Sequence, residues 1–417
     1  MKYLAALYFF CLLCIPYFPR LDSIDIIGAH WFYLSALNLV YFLVLFNKNP
    51  FQTIATYKDL PVFFLYLLFL FLVFISLFYS NNLNVSLVDL ARIFSIFLTV
   101  IYTLLFLPYV KLQYLLITFL STLIIDLFFI YYYVVEYFTV NTFSIVSFQS
   151  IYTESLFRGF SGNKNIMAAF ICMKFPISLY YFFKSKSHIS ILYFPFFILF
   201  FITIFLLNSR ATFLSLSAVL FLTLLYYFFD SRKKLFHTFL IIASLSLSFY
   251  IFTFILFYNS PDVSIVSEVN SIQLNAKSSN HRFLLWDNAL NYIFENPFFG
   301  SGIGNWKIES APYWKTELSD FIVPYHAHND FLELSTELGV LGGLVYFSIF
   351  IFIFYVSIKS ILKFDLKSSY NLLILSFFII YFVDAFLNFP LERTIIQLNF
   401  ALFFSLFLFN HRFQANE

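Results

Sequence analysis

Between Tyr325 and Phe347 the chain reads YHAHNDFLELSTELGVLGGLVYF. Two imidazoles, His326 and His328, stand beside Asn329, Asp330 and Glu333, and the segment then passes without a break into glycine-studded hydrocarbon. H-x-H-x-D is how some metal sites begin. Here Phe331 occupies the place of the next histidine in such a pattern and the segment abuts an apolar helix, so no metal or other cofactor is expected. A loop histidine can also be a plain hydrogen-bond partner. Near arginines, however, an imidazole is biased towards its neutral form, the form that can accept a proton from a hydroxyl. Glu333 and Glu337 lie one helical turn apart and read as solvent-facing or arginine-paired.

The elements that must hold these residues are membrane helices. The chain has 417 residues, 61% hydrophobic and 11% charged, with a mean hydropathy of +0.86. That is too little charge to solvate the surface of a soluble protein of this length, so the fold class is all-α, a polytopic membrane protein. About twelve segments are long and apolar enough to cross a bilayer. They run near 3–18, 27–46, 61–79, 85–107, 112–135, 165–183, 189–207, 211–229, 236–258, 336–358, 370–388 and 394–409. Their hydrophobicity is continuous rather than alternating, which selects helices over a barrel. The run after Lys2 lacks a small-x-small cleavage site and reads as the first span, not a signal peptide. Cys11, Cys14 and Cys172 all lie in apolar runs and read as buried bystanders.

Charge sets the expected orientation. With the N-terminus inside, the cytoplasmic segments carry Lys2; Lys48 and Lys58; Lys111; Lys184 and Lys186; Arg232, Lys233 and Lys234; Lys359, Lys363 and Lys367; and Arg412. Short basic loops on one side are what the positive-inside rule asks, and both termini then face the cytoplasm. Three stretches result: spans one to nine over residues 1–258, a large outer loop over 259–335, and spans ten to twelve with a short tail over 336–417. In the loop, residues 259–280 read as polar and mobile. HRFLLWDNALNYIFENP reads as an amphipathic helix with Phe283, Trp286, Leu290 and Ile293 on one face. FFGSGIGNW reads as a tight glycine turn, since neither phosphate-loop pattern is met.

Few basic residues remain on the outer side: Arg158 and Lys164, Arg210 in a very short turn, Arg282 opening the loop helix, and Arg393 in the last turn. Any one arginine can simply snorkel to lipid headgroups. As a group they suggest a site for an anionic, lipid-linked substrate, because guanidinium binds diphosphate bidentately. Gly339 and Gly343 form G-x-x-x-G, read as a close helix–helix contact. Asp89 and Arg92 are spaced to pair, Asp126 and Lys174 need partners, and Asp384, one turn before Asn388, is the best candidate for extending the outer site.

With these residues in place, the sequence resembles the O-antigen ligase and polymerase (Wzy_C) family of bacterial membrane glycosyltransferases, from about Phe157 to Phe409. His328-Asn329, nine residues, and Gly339-Val-Leu-Gly342 satisfy the ligase signature, but Gly343-Leu344 stands where it has Thr-Val. NPFFGSGIGNW, SGNKNIMAAF and NFPL resemble three further family segments. The resemblance implies a GT-C-like fold with about a dozen helices and one large periplasmic loop. It implies His328 in catalysis, Arg210 and Arg282 at the diphosphate, and Asp384 at a late acidic position; Asn329, Arg158 and His326 are read from the residues themselves as supporting candidates. The implied partners are an undecaprenyl-diphosphate-linked glycan as donor, lipid A-core or a glycan as acceptor, and membrane lipids, with no nucleic acid. The expected location is the bacterial inner membrane with the site facing the periplasm.

The expected reaction is inverting, metal-independent transfer of O-antigen or a related polymer to a hydroxyl of lipid A-core. Polymerisation of lipid-linked repeats is the alternative, kept open by the altered Thr-Val position. A transporter of lipid-linked sugars is a third, from another class. It should carry charges near the midplane and related halves, whereas here the charges gather at one surface without a visible repeat. Transfer onto protein is a lesser variant.

Overall fold

The computed structural model describes residues 1–19, 26–46, 52–140, 159–230, 234–257, 282–314, 325–364 and 368–415; among them all regular structure is helical. Among the described residues eleven helices are long and apolar enough to span a bilayer, whereas the first of the twelve expected spans is the shorter apolar stretch Lys2–Tyr17. The protein is therefore an all-α, multi-pass membrane protein.

The described chain forms two compact units. The first contains Met1–Leu112, Asn275–Val356 and Asp384–Glu417. Its centre is the helix pair Leu83–Phe106 and Thr394–Ala415. Asn82 starts the first of these by accepting from the Val85 amide. The apolar bulk at the pairing is tied by a few polar contacts: Ser405 Oγ donates to the Val100 carbonyl, and Asn38 Nδ2 donates to the Ser95 carbonyl and Thr99 Oγ1. Such bonds leave the side-chain polar groups satisfied where water is excluded. Asp89 and Arg92 do pair, at 2.9 Å, and Arg92 also reaches Glu392 at 2.7 Å.

The second unit contains Gln113–Leu274 and Ser357–Val383. Here the helices Tyr193–Leu207 and Leu235–Phe257 pack together through Leu206, Phe205 and Phe252. Asp126 and Lys174 find each other as a buried ion pair, with Lys174 Nζ also 3.8 Å from the centre of the Phe170 ring. Asn163 caps the helix Lys164–Cys172 by accepting from the amides of Asn165 and Ile166.

The helix that follows His328 differs from expectation. Asp330–Ile361 is two helices joined at Gly339, whose φ of 76° and ψ of 171° are not helical. The bend is sharp enough to bring the Phe331 and Phe347 rings within 5.3 Å. Sixteen residues of straight helix would hold them about 24 Å apart. A Cβ on Gly343 would lie 2.7 Å from the Phe331 carbonyl oxygen, and one on Gly339 would lie 2.2 Å from the Phe298 carbonyl oxygen. The two glycines thus do not face a separate spanning helix. One lets the chain turn and admits a loop backbone, while the other lets the two halves close on each other.

The loop that Gly339 admits is the glycine turn, and it is a turn as expected. Gly300, Gly302 and Gly304 all have positive φ. The Ser301 and Gly302 amides donate to the Thr336 and Glu337 carbonyls, the Val340 amide donates to the Pro297 carbonyl, and the Asn81 amide donates to the Ser301 carbonyl. Asn305 Nδ2 donates to Ser80 Oγ and Ser86 Oγ at 2.9 Å each. The loop is therefore bonded on both sides, to the 76–86 turn and to the bent helix.

The loop helix runs Arg282–Glu295, but its buried face is Leu285, Asn288, Ala289, Tyr292 and Ile293. The inward stripe packs on Trp306 and Ala327. Of the face expected from the sequence, Ile293 is buried while Phe283 and Leu290 are exposed. Both stripes are apolar, so periodicity could not tell which one the protein covers.

Candidate functional site

The site is assembled in the first unit from the 325–339 segment, the first residue of the loop helix, and the 384–394 turn. Asn329 caps the helix after His328: its Oδ1 accepts from the amides of Phe331 and Leu332 at 3.0 and 3.1 Å. This side chain shapes the start of the helix, which is the ordinary work of an asparagine in that place. His328 itself adopts φ of 53°, a left-handed conformation that few side chains enter without a constraint. The cap on one side and Phe389 on the other fix it there. Its ring meets the Phe389 ring edge-on at 4.9 Å, while the His326 ring stacks on Phe389 at 4.2 Å. The Arg393 guanidinium lies over the same ring at 4.5 Å.

The two imidazoles sit in opposite electrostatic settings. His328 Nδ1 is buried and has no hydrogen-bond partner among the described residues. Burial first, then the positive charges of Arg282, His326 and Arg393, push its pKa down to about 4. It is therefore neutral at physiological pH, with one nitrogen able to accept a proton. At His326 burial also works against the charged form. It is outweighed by Glu333, whose Oε1 lies 2.8 Å from His326 Nδ1, and the pKa is raised. The other oxygen of Glu333 accepts from the Ala327 amide at 2.8 Å. Glu333 is thus neither solvent-facing nor arginine-paired. Glu337 is buried and its Oε1 accepts from the Trp306 amide. Both carboxylates are spent on holding backbone and imidazole in place.

Asp384 reaches the site through Asn388. Asn388 Nδ2 donates to Asp384 Oδ1 at 2.7 Å, and Asn388 Oδ1 accepts from Arg282 Nη2 at 3.2 Å. An acid on one helix thereby orients an amide, which orients a guanidinium on another. Asp330 Oδ2 accepts from the Leu391 amide at 3.1 Å and so ties the 384–394 turn to the histidine helix. Behind the histidines a small cavity is lined by Asp89, Arg92, Asp330, Glu333, Glu337 and Glu392. Lys307 Nζ adds a 3.3 Å contact to Asp89. Among the described residues no group of three or more His, Cys, Asp and Glu side chains is arranged to hold a metal ion.

His328, His326, Asn329, Arg282 and Asp384 therefore belong to one assembly. Arg210 lies in the second unit, exposed at the start of the helix Arg210–Asp230, after the left-handed Asn208 that ends the preceding helix. Arg158 and the polar stretch 259–280 lie outside the described residues. Phe389 and Asn388 were not singled out as site residues from the sequence. A phenylalanine in a chain with 66 of them carries no signal, but the NFPL segment contains both. The arrangement can hold an anion near Arg282 and Arg393 and take a proton at His328.

Residues 195–347 match the family model Wzy_C, described as O-antigen ligase. The match takes in Arg210, Arg282 and His328, and ends before Asp384 and Arg393. No curated protein matches the chain.

Proposed function

We propose, on the premise that this chain is a member of the O-antigen ligase and polymerase family, that it transfers a glycan from undecaprenyl diphosphate to a hydroxyl of lipid A-core. The observation that carries this reading is a neutral, half-buried imidazole whose buried Nδ1 has no partner among the described residues, set near the guanidinium groups of Arg282 and Arg393. When the bond between the anomeric carbon and phosphate oxygen breaks, negative charge grows on the departing diphosphate. The positive group at Arg282 stabilises that charge most where it is greatest, in the transition state; Arg210 and Arg158 are proposed, from the sequence alone, as further contacts to the diphosphate. His328 takes the proton of the acceptor hydroxyl as its oxygen attacks the anomeric carbon from the opposite side, which inverts the configuration. His326, Asn329 and Asp384 keep His328 and Arg282 in position. No step requires a metal.

The basic short loops support an orientation with both termini cytoplasmic and the site facing the periplasm of the inner membrane. The same reading takes residues 1–258 as spans one to nine, 259–335 as the outer loop, and 336–417 as spans ten to twelve with a cytoplasmic tail. Gly343-Leu344 in place of Thr-Val favours a second reading, in which both donor and acceptor are lipid-linked and the product is a longer polymer. In purified protein given donor and acceptor, His328→Ala lowers transfer by about 10²–10⁴-fold while donor binding persists. Arg282→Ala weakens donor binding. Transfer undiminished in His328→Ala refutes the assignment. Deletion separates the two products: bare cores with accumulated lipid-linked polymer mean ligation, and cores capped by one repeat mean polymerisation.

A further inference from the structure

We infer that the loop helix Arg282–Glu295 and the Phe298–Phe299 turn form an interfacial anchor that lies in the surface of the bilayer. The helix is apolar on two sides. One side, Leu285, Ala289 and Tyr292, is buried, with Trp306 and Ala327 packed on Ala289 and Tyr292. The other, Phe283, Leu290 and Phe294, falls within about 40° at 3.6 residues per turn. Among the described residues nothing covers this second stripe, and Phe294 is 79% exposed. Beside it lies a polar edge of Asp287, Asn291 and Glu295, all exposed. An apolar stripe flanked by a polar edge suits a helix lying at the boundary between headgroups and acyl chains.

The next two exposed side chains extend the stripe. Phe298 is 81% and Phe299 66% exposed, on a loop bonded to the 76–86 turn and to the bent helix. They are not loose ends that could turn inward: Gly339 closes on the Phe298 carbonyl, and the Val340 amide donates to Pro297. The occupant follows from continuity. Phe299 meets Tyr79 ring to ring at 5.4 Å, at the end of the span Pro61–Tyr79, whose Phe78 is exposed. On the other side Leu341 and Leu344 begin the exposed apolar face of the helix after Gly339. The patch therefore continues the exposed apolar surfaces of two helices long enough to span a bilayer, and a lipid surface is the partner it fits. Arg282, first residue of that helix, is then carried at headgroup depth, whatever glycan the protein transfers.

The test reads depth, not activity. In full-length protein with Cys11, Cys14 and Cys172 replaced by alanine, spin labels are placed singly at Phe294→Cys and Phe298→Cys. The protein is reconstituted in phosphatidylethanolamine/phosphatidylglycerol nanodiscs, with Leu341→Cys and Glu295→Cys as references. Folding is checked by a single gel-filtration peak. The anchor is supported if labels at 294 and 298 collide freely with oxygen and poorly with a nickel chelate, as at 341. Nickel access equal to that at 295 overturns it, and so does protection from both reagents, which would mean a protein covers the patch. Two label sites keep the result readable if one variant fails to fold.

Discussion

At the scale of single residues, the separation of two adjacent histidines is the main feature. His328 has its pKa lowered to about 4 by burial and neighbouring positive charge, and His326 has its pKa raised against burial by Glu333. The linkage signs are opposite. The His326 contribution to stability is present below pH 6.5 and is lost as pH rises through its raised folded value. The His328 contribution is present above pH 6.5 and is lost as pH falls from there towards 4. Glu333→Gln removes the partner charge, so the fall in melting temperature between pH 6.5 and 9 becomes shallower than in the wild type. An unchanged slope means that His326 carries no charge in the folded protein. For the reaction, kcat/KM of the wild type holds between pH 6 and 8 and declines only as pH approaches 4, because its acid limb reports His328 in the free enzyme.

At the scale of elements, Gly339 decides the site. Its backbone lies in a region essentially closed to other residues, and the Phe298 carbonyl occupies the place of a side chain. Gly339→Ala costs about 1–3 kcal/mol from the backbone alone, with the clash in addition. The expected outcome is a lowered melting temperature in detergent, together with a displaced glycine turn. The displacement is read as faster amide exchange at Ser301 and Gly302, whose bonds to Thr336 and Glu337 depend on the bend. A mutant that matches the wild type on both counts would mean that the bend is not needed to seat the loop. The G-x-x-x-G spacing was legible, yet its partner was not, because a glycine pattern states that something approaches closely without saying what.

At the scale of the whole molecule, two compact units each use a different charge strategy. The first gathers Asp89, Arg92, Glu392 and Lys307 into a network beside the site. The second holds a buried ion pair, Asp126 and Lys174. Breaking such a pair leaves one charge without compensation, whereas replacing both partners removes the problem. Lys174→Met is expected to destabilise the protein by about 3–5 kcal/mol, and Asp126→Leu with Lys174→Met to recover most of that loss. Thermal unfolding in detergent gives both values. A double variant as unstable as the single one would show that packing, not charge, governs the position.

What the amino-acid sequence determined by itself was the class and the list of parts. Hydropathy over twenty residues dictates a spanning helix, because lipid offers the backbone no other hydrogen-bond partner. Asn163 and Asn329 cap helices by local bonds, and Asp89 finds Arg92 one turn away. These are short-range effects. Tertiary structure alone decided which apolar stripe of the loop helix faces inward, that Asp384 meets Arg282 through Asn388, and that Phe389 separates two histidines of opposite character. Each depends on residues from 14 positions apart, Tyr292 and Trp306, to 106 apart, Arg282 and Asn388, whose approach no local pattern encodes.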